Sequence, residues 1–189
     1  MTYDRIIDAA RLILETEGLD GLTIRKVATR CGLSPMAIYR HFTDKDALIN
    51  ALTADGFVAW EARVRAITEA DPMDWLRALT DAFLDFALTE PHRFDAAFFL
   101  PASQARQYPD DFVAGHSPAA ALIMLRIDDA RAAGRFDATS SLDITLLLTA
   151  TAQGLVSMHR ARRFSSDAQF ADLFRATIAR SLAAFSPRA

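Results

Sequence analysis

The chain is poor in the residues that staple, punctuate or break a fold. One cysteine, Cys31, stands among 189 residues, which excludes an internal disulfide and a cysteine-rich metal site. Seven glycines and seven prolines, none of them in a run, leave no low-complexity linker. No repeat occurs at solenoid periods. His41, His92, His116 and His159 are widely spaced and form no H-x₃-H or HExxH pattern. No Walker A loop, G-x-S-x-G elbow or glycine-rich dinucleotide turn is present. Neither a metal, another cofactor nor enzyme chemistry is expected. The opening stretch MTYDRIIDAARLILETEG carries acids through its apolar run and does not resemble a signal peptide. The longest charge-free apolar tract, Ile144 to Met158, holds Thr, Gln and Ser and is short for a bilayer span. A soluble cytoplasmic protein without a membrane partner is expected.

Net negative charge is present but unevenly spread. Lys and Arg number 21 against 24 Asp and Glu, a formal charge of −3. Residues 1–50 hold seven basic and seven acidic residues, and 51–189 hold fourteen and seventeen. Between Thr23 and Thr43 stand Arg25, Lys26, Arg30, Arg40 and His41 with no acid at all. A local basic stripe on an acidic body attracts phosphate through its own field.

Apolar residues recur at three and four throughout, and strand-like alternation is absent, so an all-α protein is expected. Hydrophobic residues make up 51% of the chain, enough for a buried core. A first helix runs from about Tyr3 to Glu17, with Gly18 as its stop. Thr23 caps a second. Gly32 turns the chain, Ser34 caps a third helix, and Pro35 fills the first position, where no N–H is needed. Thr43 caps a fourth helix, in which Gly56 marks a bend. Further helices follow from Pro72, from Pro91, from Pro118 with Ser117 as cap, through 140–164, and from about Asp167 to Phe185.

Two short helices joined by a glycine turn form a helix-turn-helix candidate. Residues on a helix step by about 100°. With Ile38 at zero, Phe42 falls within about 40° and both point inward; Met36, Ala37 and Arg40 face outward, and Tyr39 and His41 take the two shoulders. Small or flexible Ala37 and Met36 let a helix approach base edges, and Arg40 can bond guanine O6 and N7. Tyr39 and His41 suit the phosphate walls of the groove, and Lys45 adds another phosphate partner. Arg25 is placed for the DNA backbone or an outer base. A helix–Gly–helix turn and a solvated Tyr-Arg-His row also occur in proteins that bind no DNA.

The stretch LTIRKVATRCGLSPMAIYRHFTDKDAL resembles the DNA-binding domain of TetR-family transcriptional regulators. The resemblance covers about residues 4–50, through Ala9–Ala10, Gly18, Thr23, Val27–Ala28, Gly32–Leu33–Ser34, Ile38–Tyr39, His41–Phe42, Lys45 and Leu48. It implies a ligand-responsive regulator, a repressor by family default, bound as a homodimer to a palindromic double-stranded operator. The implied phosphate contacts are Tyr39, His41 and Lys45, and the implied base-facing set is Arg25, Pro35, Met36, Ala37 and Arg40. Thr23 and Ser34 complete the expected DNA-binding set. Position 36, often small or polar in the family, is Met here, which leaves apolar contact such as with a thymine methyl.

The expected division is a three-helix DNA-binding domain over 1–48 and a larger helical ligand-binding and dimerisation domain over 49–189. Small residues Ala150, Thr151 and Gly154, with Phe174, Ile178 and Ser181 on the last helix, are the candidate dimer surface; the same stripes also suit packing on their own core. The resemblance implies a four-helix dimer bundle from the last two helices. Ten of the eighteen aromatics lie between Phe57 and Phe112. Phe57, Trp60, Phe83, Phe86, Phe94 and Phe98, with Met124 and Gln153, are the candidate lining for a small, apolar or aromatic effector of unknown identity, or else simply core. Arg126 and His159 are further polar candidates. The rival reading is a helical small-molecule-binding or partner-interaction protein that has lost DNA binding.

Overall fold

The computed structural model describes residues 2–187. Among them are ten α-helices and no strand: α1 Thr2–Gly21, α2 Ile24–Cys31, α3 Pro35–Tyr39, α4 Lys45–Arg65, α5 Pro72–Thr89, α6 Pro91–Phe98, α7 Asp110–Val113, α8 Pro118–Ala132, α9 Ser141–Arg160 and α10 Asp167–Ala183. The all-α expectation is met. The short α7 has no counterpart in the sequence reading.

Helix ends follow local chemistry. The break expected at Gly18 is present, with φ 70° and ψ −173°, but one further turn continues to Gly21. Thr23 accepts the Lys26 N–H at 3.2 Å and opens α2. Gly32 closes it at φ 63°, a left-handed conformation that glycine adopts without penalty. The Leu33 N–H then bonds the Ala28 carbonyl at 2.9 Å. Ser34 accepts the Ala37 N–H at 3.2 Å, and Pro35 follows as first helical residue. The cap of α4 is not Thr43 but Asp44, whose carboxylate accepts the Ala47 N–H at 2.7 Å. A carboxylate is the stronger acceptor, and the Thr43 hydroxyl braces it at 3.2 Å. Ser117 stands at the start of α8 but makes no capping bond through its side chain. Ser140 and Ser166 cap α9 and α10.

The described chain forms two compact units. The first contains everything up to Ala59 together with Glu90–Ala105, and the second Trp60–Thr89 with everything from Arg106 onward. The first unit thus holds α1–α3, the first part of α4, and α6. Its core includes Ile6, Ala10, Ile13, Leu22, Val27, Ile38, Leu48 and Leu52, each 2% exposed or less. In the second unit α5 packs on α8 and α10, and α9 packs on the same two helices. Trp75, Phe86, Phe170 and Phe174 are fully buried there, each contributing about 1.5–3 kcal/mol of hydrophobic stabilisation. Helix α9 is long and apolar enough, by length and composition, to cross a bilayer. Its Ile144, Leu148, Ala152 and Val156 are buried within the second unit.

Gly56 is not a bend. A Cβ there would lie 2.8 Å from the Arg93 carbonyl oxygen and 2.9 Å from Ala97 N and Cβ, so α4 and α6 meet backbone to backbone. Gly56→Ala is expected to destabilise the protein by about 1–3 kcal/mol. Melting followed by circular dichroism should fall by roughly 2–4 °C for each kcal/mol; an unchanged Tm refutes the close approach.

Candidate nucleic-acid interface

Two residues orient α3. Ile38 is 0% and Phe42 3% exposed, and Phe42 lies against the Tyr3 ring of α1 with centroids 5.3 Å apart. Backbone bonds from the His41 and Phe42 N–H groups to the Ile38 carbonyl, at 2.9 and 3.0 Å, carry the turn past the last helical residue. Arg40 keeps helical angles, φ −72° and ψ −20°. With Ile38 and Phe42 inside, Met36 is 68% and Tyr39 48% exposed, Arg40 and His41 are exposed, and Ala37 is half-buried.

The other candidates are placed as follows. Arg25 is exposed on α2. Thr23, Ser34 and Pro35 are exposed too, with both hydroxyl oxygens engaged as caps. Lys45 is half-buried, and its ammonium donates to the Leu19 carbonyl at 3.0 Å. A phosphate partner there must compete with that carbonyl. Lys26 is paired with Glu17. Among the described residues of the first unit, Arg25, Arg30 and Arg40 are the cationic side chains without an ion-pair or hydrogen-bond partner.

Sequence reasoning missed what braces this face. The Arg5 guanidinium donates to the Cys31 carbonyl at 2.9 Å, tying α1 to the end of α2. The Cys31 thiol donates back to the Arg5 carbonyl at 3.4 Å, and burial pushes that thiol up, against the nearby Arg5 charge. Asp55 of α4 receives Arg93 Nε and Nη2 at 3.0 and 3.1 Å and Arg11 Nη2 at 2.9 Å. One carboxylate therefore joins α1, α4 and α6. Burial opposes the Arg93 charge, yet Asp55 and then Glu90 outweigh it and raise its pKa further. A basic residue facing an acid 38 positions away leaves no periodic mark in the sequence.

The eight candidate effector residues do not share a unit. Phe57, Phe94 and Phe98 belong to the first, where Phe98 meets Phe57 and Phe94 at 5.5 and 4.8 Å. Trp60, Phe83, Phe86, Met124 and Gln153 belong to the second. Trp60 packs edge-on to Phe83 at 5.3 Å, and Phe83 stacks on Phe174 at 6.3 Å. Met124 and Gln153 are half-buried. The first unit also has a groove of about 320 Å³ between α1 and α4, lined by Tyr3, Ile7, Arg11, Ala51, Asp55 and Val58, and none of the eight reaches it.

The candidate dimer residues separate likewise. Ala150 and Gly154 are exposed, and a Cβ on Gly154 would meet nothing within 4 Å. Thr151 and Ser181 are half-buried. Phe174 and Ile178, at 0% and 2% exposed, lie in the core of their own unit and are withdrawn from the surface. Their stripe is the side of α10 that closes on Phe83. Outward on α9 stand Leu147 and Met158, and on α10 Leu173, each between 42% and 48% exposed.

Fold and face together define a helix-turn-helix protein. The family model described as "Bacterial regulatory proteins, tetR family" matches residues 6–52, and "Tetracyclin repressor-like, C-terminal domain" matches residues 76–181, more than half of the chain. The chain belongs to the TetR family, whose members are transcriptional regulators rather than enzymes. It is 26% identical over 98 residues to an uncharacterised HTH-type transcriptional regulator, YobS, of Bacillus subtilis, a match covering 51% of each chain. It is 43% identical over 70 residues to the class A tetracycline repressor from transposon 1721 of Escherichia coli, covering 37% of this chain and 31% of that one. The chain thus spans about half or less of the length of these curated relatives. Among solved structures, a protein of unknown function from Rhodococcus sp. RHA1 superposes with TM-score 0.80 at 24% identity, covering 99% of this chain and 96% of the other. The fatty acid degradation regulator FadR from Bacillus halodurans superposes with TM-score 0.74 at 16% identity, covering 95% and 97%. These two likenesses establish the fold.

The inward and outward residues at the end of α3 should differ in their effect on stability. Phe42→Ala is expected to cost about 3–5 kcal/mol by cavity formation. Arg40→Ala, on the exposed side, should stay within about 0.5 kcal/mol of wild type in denaturant titration. Equal losses in the two variants contradict the assigned orientation.

Proposed function

We propose that the protein is a DNA-binding transcriptional regulator, a repressor, that binds a palindromic operator as a homodimer and is released by a small effector. The observation that carries this reading is the sorting of α3: Ile38 and Phe42 inside, Met36, Tyr39, Arg40 and His41 outside, with Arg25 and Arg40 unpaired. Family membership supports the rest, since TetR-family regulators bind DNA, act as dimers and respond to small molecules. Arg40 reads guanine through O6 and N7, Tyr39 and His41 fix the helix on phosphates, and Arg25 takes a phosphate or an outer base. Thr23, Ser34 and Pro35 set the two helix starts at the groove, and Lys45 reaches phosphate after leaving Leu19.

Pairing of two reading heads is assigned to the exposed face of α9 and α10. Leu147, Ala150, Thr151, Gly154 and Met158 recur at helical spacing there, and the open space over Gly154 admits close helix approach. Leu173 and Ser181 add the α10 side. An apolar or aromatic effector is assigned to the aromatic interior of the second unit around Trp60, Phe83, Phe86, Met124 and Gln153. Such a molecule lowers operator affinity only if it prefers a conformation that holds the reading heads off register.

Binding to a duplex selected from a randomised library tests the assignment. Affinity should fall steeply as salt rises, because phosphate contacts release counterions. Arg40→Ala should remove about 1–3 kcal/mol of preference for the selected duplex over random DNA, whereas Lys45→Ala should weaken both alike. If Arg40→Ala lowers both equally, the base-reading role is lost. Sedimentation should give a dimer at micromolar concentration, and Leu147→Glu should give a folded monomer; a wild-type monomer refutes the pairing.

A further inference from the structure

The first turn of α3 exposes side chains with almost no hydrogen-bonding capacity. Met36 is 68% exposed, an unusual position for so large an apolar side chain. Pro35 before it has no N–H, and Ala37 after it has only a methyl group. The nearest hydroxyl, on Ser34, has its oxygen turned to the helix start, where it accepts the Ala37 N–H at 3.2 Å. Side chains that donate strongly begin at Tyr39 and Arg40. A base edge pressed against the side chains of Pro35, Met36 and Ala37 would lose its water and gain no side-chain bond, unless that edge were itself apolar. The major groove offers one such feature, the methyl group at C5 of thymine. A methionine suits it, because three rotatable bonds and a polarisable sulfur let the side chain settle around a small group.

Resting on the reading of α3 as the groove-facing helix, we infer that Met36 recognises the C5 methyl of a pyrimidine, thymine in the natural half-site, and so sets operator sequence without a hydrogen bond. The spacing to the second specificity element follows from the helix. Met36 and Arg40 are four residues apart on one face, a rise of about 6 Å. Base steps are about 3.4 Å, so the methyl and the guanine read by Arg40 lie about two base pairs apart. Met36 is blind to the donor or acceptor at C4 of the pyrimidine. It therefore treats thymine and 5-methylcytosine alike, and uracil and unmethylated cytosine alike.

The experiment starts from the duplex selected by the wild-type protein. Each thymine is replaced singly by deoxyuridine, which removes the methyl group and nothing else. One position in each half-site, about two base pairs from the Arg40-dependent guanine, should lose about four-fold in affinity, the effect of one buried methyl. At that position 5-methylcytosine should bind more tightly than cytosine by a similar factor. Met36→Ala should bind the thymine and uracil duplexes equally while keeping the guanine preference, and Met36→Leu should retain the methyl preference. Both variants should melt with the wild type, since the side chain is exposed. The inference is overturned if no thymine responds to loss of its methyl, or if Met36→Ala loses as much on uracil as the wild type does. A selected site with an Arg40-dependent guanine and no methyl dependence overturns this inference alone. Failure to select any sequence overturns both this and the regulator reading.

Discussion

Burial of Ile38 and Phe42 is the constraint on which the candidate interface depends. A helix as short as Pro35–Tyr39 has no stability of its own and no length from which to derive an orientation. Its direction comes from what it buries. Once Ile38 is closed off and Phe42 lies under the Tyr3 ring, the angular step of the helix leaves no freedom for the remaining side chains. Met36 and Arg40 must then stand outside on one face, with Tyr39 and His41 beside them. The caps serve the same end. Thr23, Ser34 and Asp44 each satisfy a backbone N–H at a helix start, so three starts fall within 22 residues.

A second constraint makes the first unit larger than its helix-turn-helix. Asp55 accepts from Arg11 and, through both oxygens, from Arg93, so α1, α4 and α6 share a single carboxylate. Gly56, the next residue, lets α6 touch the backbone of α4. Asn50 extends the attachment, bonding the Ser103 hydroxyl at 3.0 Å and the Gln104 N–H at 3.2 Å. The chain leaves this unit after Ala59 and returns to it at Glu90. Helix α4 runs on past that exit to Arg65, so one continuous helix belongs in part to each unit. Helix α6 is thereby part of the unit that carries α3.

How much of this was legible in the sequence depends on distance along the chain. Thr23, Gly32, Ser34 and Pro35 could be read because a cap or a left-handed turn is decided by residues three or four apart. Ile38 and Phe42 could be read because one helical turn relates them. Asp44 displaced Thr43 as a cap because two adjacent acceptors compete, and sequence spacing does not rank them. The Asp55 ion pairs, 38 and 44 positions long, had no local signature. The aromatic residues were ambiguous for another reason. Rings that line a cavity and rings that pack together share the same helical spacing, and whether a partner ring fills the space is a tertiary fact, as with Trp60 on Phe83. Phe174 and Ile178 show the same limit: a stripe on one helix is visible, but which side faces its own core is decided by α5.

The charge distribution then acquires a physical reading. A chain of net charge −3 is a poor polyanion ligand if its cations are evenly neutralised. In the first unit most are neutralised or held: Lys26 by Glu17, Arg11 by Asp8 and Asp55, Arg93 by Asp55 and Glu90, Arg5 and Lys45 by backbone carbonyls. Arg25, Arg30 and Arg40 are left over, and all three lie on α2 or at the end of α3. With a screening length of about 8 Å at physiological salt, distant acids contribute little at that face, and local unpaired charge decides what it attracts. Arg162, Arg163 and Arg180 of the second unit also lack ion-pair partners among the described residues, so unpaired charge alone does not single out a site. What distinguishes the first group is its company. Arg40 stands beside an exposed methionine and tyrosine at a helix whose other side buries Ile38 and Phe42, with Arg25 and Arg30 exposed on the helix before it, and that combination can meet both the phosphates and the base edges of a duplex.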